Sequence, residues 1–98
     1  MDTLTKAARQ KTDLADRLLE QLIGFWSGIP EFADEWASRD EDDRRDFIED
    51  WPVIEGKLTD LREWNEAGSL SEEQQRRFAE LSRYVEQYRE TMNRLFQE

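Results

Sequence analysis

The last quarter of the chain carries a narrow apolar stripe with strict helical spacing. We call this stripe the C-terminal seam; it consists of Phe78, Leu81, Val85, Tyr88, Met92 and Leu95. Steps of three and four residues place these side chains on one side of an α-helix, and the intervening residues are almost all charged or amide. So narrow a stripe needs a partner surface along its whole length. The sequence therefore predicts long helices packed side by side, either within one chain, which we favour, or between two chains.

A first long helix is predicted over about residues 3–26, where a broad apolar stripe follows helical spacing. Gly28 and Pro30 are typical of a helix end and a new start. The connector that follows is unusually apolar. Phe32 and Trp36 are four residues apart, so we expect a short aromatic helical turn at about 31–37.

A second long helix is predicted over about residues 39–67. Ser38 has the position of an N-cap, and Glu41 follows three residues later to complete a capping box. The apolar spacing continues through Pro52, although proline inside a helix removes a backbone hydrogen bond. We therefore interpret this segment as one helix that is kinked near Ile48–Trp51, with two abutting helices as the alternative.

The last helix is predicted over about residues 72–96. Gly68 ends the preceding helix as a residue that tolerates left-handed geometry, and Ser71 with Gln74 forms a capping box for the next one. So short a connection makes the two helices antiparallel neighbours. The sequence as a whole predicts an all-α, antiparallel three-helix bundle that forms a single domain over residues 1–98.

Composition excludes several classes of function. The 98 residues include no cysteine and no histidine, which removes disulfides, thiolate metal sites and the commonest general base and zinc ligand. We therefore expect no enzyme activity and no cofactor. No apolar run is long enough to span a membrane, and no signal peptide is visible, so a cytoplasmic location is expected.

The net charge of −10 is concentrated in one fifth of the chain. Residues 31–50, here called the acidic segment, contain ten acidic residues and three arginines. An acidic surface disfavours binding to nucleic acid and favours a basic protein partner. Mimicry of DNA is an alternative, but it requires dense acid with little base, and only residues 39–50 approach that pattern.

Large apolar side chains lie next to the acidic segment. They are Phe25, Trp26, Ile29, Phe32 and Trp36. We expect them mainly to fill one end of the bundle, with an interface as the alternative, since aromatic anchors beside charge are common in binding sites. The predicted function is a protein–protein interaction module that presents residues 25–50 to a basic partner. The residues predicted to contact it are Phe32, Trp36, Asp42, Asp43 and Asp46.

An enzymatic alternative rests on two pairs of carboxylates with i,i+3 spacing. Glu31 with Asp34 and Asp46 with Glu49 lie on neighbouring predicted helices. This arrangement resembles the paired acidic motifs of all-α nucleotide pyrophosphohydrolases of the MazG type. That resemblance implies a magnesium-dependent hydrolase in which these four residues are the metal ligands. A third possibility is a structural subunit of a larger assembly, and three thin helices favour a homodimer that would cover their remaining apolar surface.

Overall fold

The computed structural model describes the backbone of residues 2–97 and the side chains of residues 12–97. Every regular element in this part of the chain is an α-helix. The four helices are α1 (Asp2–Ser27), α2 (Ile29–Trp36), α3 (Glu41–Glu66) and α4 (Glu72–Gln97). The all-α class is thus confirmed. The prediction of three helices differs from the structure, because the aromatic turn expected at 31–37 is a complete helix of eight residues.

The break between α1 and α2 lies at Gly28. Its N–H donates to the Phe25 carbonyl, and its own carbonyl accepts from the Phe32 N–H, so the chain bends with both backbone groups satisfied. Pro30 lies in the first turn of α2, where its missing N–H has no helical partner to lose. The short helix then presents Ile29 and Trp36 to the core, and both are buried.

Helices α1 and α4 run parallel and form the most extensive contact in the molecule. Near the start of α4, the Gln74 amide nitrogen donates to the Thr12 carbonyl. Fifteen residues further along α4, the Arg89 guanidinium lies over the Trp26 ring, with 5.5 Å between the guanidinium carbon and the ring centroid. The contacts advance in the same direction along both helices, which fixes their relative orientation.

Helix α3 runs antiparallel to both. Lys57 donates to the Gln21 side-chain oxygen, whereas Phe47, earlier in α3, meets Phe25, later in α1. Helix α3 packs more extensively on α1 than on α4. The resulting molecule is elongated, with principal dimensions of 53 × 24 × 17 Å. No helix in the described part of the chain combines the length and the apolar character needed to cross a bilayer.

The core runs along the line where the helices meet. Its fully buried large side chains are Leu19, Leu22, Trp26, Ile29, Leu61, Leu81 and Met92. Three members of the C-terminal seam, namely Leu81, Val85 and Met92, are buried, and the other three are half-buried. The seam therefore packs within the chain.

Helix α3 continues without interruption through Pro52. Trp51 and Ile54, on either side of the proline, both pack against the core. Pro52 itself is exposed, so its ring faces solvent while its neighbours hold the turn in place. The interpretation with two abutting helices is therefore wrong for this position.

The predicted capping box at the start of α3 is also wrong. The Ser38 hydroxyl donates to the Glu35 carbonyl of α2 at 2.8 Å and is not available to the next helix. The chain keeps turning after α2, since the Arg39 N–H donates to the Trp36 carbonyl. Asp40 takes the N-cap position with extended backbone, and its side chain makes no capping hydrogen bond.

The turn between α3 and α4 follows the prediction closely. Gly68 has a φ of +73° and lies in the left-handed region, which favours glycine. The Ser71 hydroxyl accepts from the Gln74 N–H at 3.1 Å, and the Gln74 side-chain oxygen accepts from the Ser71 N–H at 3.0 Å. Gln74 is buried, and its amide nitrogen also donates to Asp16 at 2.8 Å. One side chain thus caps α4 and ties it to α1.

Candidate functional site

Seven aromatic rings meet at the end of the molecule where α1 joins α2, α3 begins and α4 ends. This seven-ring cluster consists of Phe25, Trp26, Phe32, Trp36, Phe47, Trp51 and Phe96. Phe32 and Phe47 are the closest pair, with ring centroids 4.6 Å apart. Most pairs are tilted or edge-to-face, which is the arrangement that aromatic rings prefer.

Two rings of the cluster are fully enclosed and five are half-buried. Trp26 is 0% exposed and Trp36 is 3% exposed. The half-buried rings are those of Phe25, Phe32, Phe47, Trp51 and Phe96. The cluster therefore fills the end of the bundle, with the edges of the outer rings reaching solvent.

Among the predicted partner contacts, the two aromatic residues have different surroundings. Trp36 packs against Phe32, Phe47 and Phe96 and leaves little of its ring for a partner. Phe32 is half-buried, and the Arg39 guanidinium covers one face of its ring at 4.8 Å from the centroid. The accessible part of this pair is thus the Phe32 edge together with the arginine above it.

The predicted acidic contacts lie on the surface of α3. Asp42, Asp43 and Asp46 are exposed. Asp42 forms an ion pair with Arg45 at 3.7 Å, with most of its side chain in solvent. An exposed pair of this kind contributes little to stability. Glu41, Asp42 and Asp43 also occupy the first turn of α3, where negative charge is favoured by the helix dipole.

All ten acidic residues of the acidic segment are exposed. They are Glu31, Asp34, Glu35, Asp40, Glu41, Asp42, Asp43, Asp46, Glu49 and Asp50. The sequence located this charge correctly, but it did not show that every one of these carboxylates avoids the core. These exposed carboxylates belong to α2, the first half of α3 and the turn between them, which also supply Phe32, Trp36 and Phe47 to the seven-ring cluster.

The four carboxylates of the enzymatic alternative do not form a compact group. Glu31 and Asp34 on α2 and Asp46 and Glu49 on α3 are all exposed. Among the described residues there is no group of three or more acidic side chains with the spacing of a metal site. The geometry thus gives the magnesium-dependent interpretation no support.

Sequence reasoning did not place Phe47, Trp51 and Phe96 in the aromatic group, and it missed one ion pair. Phe96 lies one residue beyond the end of the C-terminal seam, yet its ring meets Phe47 and Trp51. Arg89 makes a bidentate ion pair with Glu55, at 2.8 and 3.3 Å. The turn at Gly68 could have indicated both contacts, because it makes α3 and α4 antiparallel and so brings the start of α3 beside the end of α4.

Arg89 also contacts the seven-ring cluster, on the side that faces the middle of the molecule. Its guanidinium lies over Trp26, whose indole N–H is buried and has no hydrogen-bond partner among the described residues. The cation above the Trp26 ring joins α4 to α1, and the ion pair with Glu55 joins α4 to α3 at the same level.

A surface groove opens beside the seven-ring cluster, between the first half of α3 and the end of α4. Its volume is about 470 Å³. Trp36, Ile48 and Leu95 supply its apolar lining, and charged residues of α3 form its rim. Ile48 is 41% exposed and lies at the solvent side of this groove.

Comparisons of this chain with protein-family models, with curated proteins and with solved structures find no match.

Proposed function

We propose that this protein is a non-enzymatic interaction module whose acidic surface binds a basic protein partner. The observation that carries the proposal is the exposure of all ten carboxylates in the acidic segment, beside aromatic rings whose edges reach solvent. Most of the excess charge of the molecule thus belongs to α2, the first half of α3 and the turn between them.

A basic partner is favoured by long-range electrostatics. An excess negative charge gathered on one surface attracts cationic proteins before contact and raises the rate of productive encounter. The same field repels nucleic acid, whose phosphates carry like charge. Salt screens these interactions, so association should weaken as ionic strength rises.

The residues have separate roles in this proposal. Asp42, Asp43 and Asp46 supply charge on the exposed surface of α3. The edge of Phe32, with Arg39 above it, supplies a partly apolar contact. Trp36 is buried and supports the seven-ring cluster from inside. In this proposal it therefore does not contact the partner directly, although the sequence predicted that it would. We regard α1, α3 and α4 as a three-helix frame to which α2 adds the aromatic end.

The test removes three charges from the acidic surface. The triple variant Asp42→Asn, Asp43→Asn, Asp46→Asn is immobilised beside the wild-type chain and exposed to native lysate. We expect the wild type to retain a basic protein at about 50 mM salt and to release it at about 300 mM, and the variant to retain much less. Equal retention by both proteins would refute the role of this surface.

A matched control separates local from overall charge. Asp60→Asn, Glu63→Gln and Glu66→Gln remove the same net charge from exposed positions at the other end of α3. We expect this control to bind like the wild type. Melting curves of both triple variants check that the fold is retained. If the control loses binding equally, only net charge matters and no particular surface is the site.

Two further expectations from the sequence stay predictions. A homodimer, or a place in a larger assembly, needs an uncovered apolar surface, and the C-terminal seam does not provide one because it packs within the chain. Sedimentation at micromolar concentration measures the oligomeric state directly. The cytoplasmic location is checked by cell fractionation.

A further inference from the structure

The second half of α3 is attached to both of the other long helices. Leu58 and Leu61 are buried in the core. On the α4 side, the Glu55 carboxylate makes a bidentate ion pair with Arg89. On the α1 side, Lys57 donates to a side-chain oxygen 3.1 Å away. Apolar burial and polar contacts thus both hold this half of the helix in place.

The first half of α3, residues 41–51, is attached in a different way. All of its side chains are exposed or half-buried. Phe47 and Trp51, one turn apart, pack into the seven-ring cluster, whereas Ile48 between them is 41% exposed. Within the described part of the chain, no side-chain hydrogen bond or ion pair joins residues 41–51 to another helix. Two half-buried rings therefore supply most of its attachment.

Both ends of this segment also lack helix-stabilising hydrogen bonds. At its start, the Asp40 side chain makes no capping hydrogen bond, and residues 37–40 are exposed. At its end, Pro52 has no N–H to donate to the Ile48 carbonyl, so the backbone ladder is one hydrogen bond short where the two halves meet. Few buried contacts and missing backbone hydrogen bonds are features of segments that open locally.

The rings beneath this segment contact one another without it. Trp36 packs against Phe96 with 6.3 Å between their centroids, and Phe25 packs against both Trp26 and Phe32. These five rings belong to α1, α2 and α4, and α2 contacts α4 extensively. Departure of residues 41–51 would therefore uncover the rings without separating the other three helices.

We propose that residues 41–51 form a lid over the seven-ring cluster, which opens as a local unit with Pro52 as its hinge. The second half of α3 stays docked while the lid opens. Opening removes Phe47 and Trp51 from the cluster and exposes Trp26 and Trp36, which are both buried in the closed form. This inference concerns a motion of the chain itself and does not depend on the proposed function.

Native-state hydrogen exchange of the full chain, followed by NMR at single amides, tests the lid. After correction for intrinsic rates, we expect amides of residues 46–51 to exchange at least about tenfold faster than those of residues 58–63. Urea should accelerate their exchange less, because local opening exposes less surface than global unfolding does. Equal protection of the two halves, or equal urea dependence, would overturn the inference.

Two matched variants distinguish opening of the lid from opening of the whole of α3. Leu61→Val weakens packing that is retained when the lid opens, so it should accelerate exchange in residues 58–63 and leave residues 46–51 unchanged. Phe47→Leu removes ring contacts of the closed lid, so it should accelerate exchange in residues 46–51 about tenfold. If Leu61→Val accelerates both halves equally, or Phe47→Leu leaves residues 46–51 unchanged, there is no independent lid.

The hinge is tested by Pro52→Ala, which restores the backbone hydrogen bond at the boundary between the two halves. We expect this variant to slow exchange in residues 46–51 about tenfold, because the closed helix gains a bond that the open form lacks. Unchanged exchange in these residues would overturn the assignment of Pro52 as the hinge.

Discussion

Replacing Pro52 with alanine tests how α3 tolerates a proline in its interior. Pro52 lacks the N–H that would donate to the Ile48 carbonyl, and its exposed ring packs against no part of the core. In a helix interior, proline is about 3 kcal/mol less favourable than alanine. The restored hydrogen bond alone is worth about 1 kcal/mol. We therefore expect Pro52→Ala to raise the free energy of unfolding by about 1–3 kcal/mol.

Thermal and urea unfolding, followed by circular dichroism, measure this gain. For a chain of this size it corresponds to a melting temperature about 5–20 °C higher. The control is Val53→Ala at the next exposed position, where only helix propensity changes and a gain of a few tenths of a kcal/mol is expected. If Pro52→Ala leaves stability unchanged or lowers it, the proline geometry is needed to position Trp51 and Phe47, and our reasoning about α3 is wrong.

Two other predictions concern the core. Gln74→Ala should lower the free energy of unfolding by about 2 kcal/mol, because it removes the side-chain half of the capping box and two hydrogen bonds to α1. A loss below about 0.5 kcal/mol in urea unfolding would contradict this. In a variant with Trp51→Phe and Trp64→Phe, the remaining Trp26 and Trp36 should be quenched little by acrylamide or iodide, since both are buried. Quenching as strong as that of free tryptophan would mean that the aromatic end of the bundle is open.

Local sequence signals predicted a helix end well where a few adjacent residues determine the backbone geometry. The turn at Gly68 and the capping box at Ser71 and Gln74 formed as expected, because left-handed geometry and reciprocal capping depend on a few adjacent residues. The Ser38 prediction failed because the same hydroxyl had a competing carbonyl, that of Glu35, in the helix before it.

Contacts between distant residues were harder to predict. Nothing local marks Phe96 as a partner of Phe47, or Arg89 as a partner of Glu55, since both contacts depend on how α4 is rotated against α3. The groove at Ile48 was missed for the same reason. The sequence located the acidic charge but not the groove, because a groove depends on how closely α3 and α4 approach each other.

The association rate as a function of salt tests the central claim most directly. Stopped-flow mixing of the full chain with a synthetic amphipathic helical peptide of leucine and lysine residues, from about 20 to about 300 mM salt, spans weak to strong screening. We expect the wild-type rate constant to fall at least about tenfold over this range, and to fall less steeply for the triple variant at Asp42, Asp43 and Asp46. A rate that does not change with salt, or the same salt dependence in both proteins, would contradict an acidic surface that recruits a basic partner.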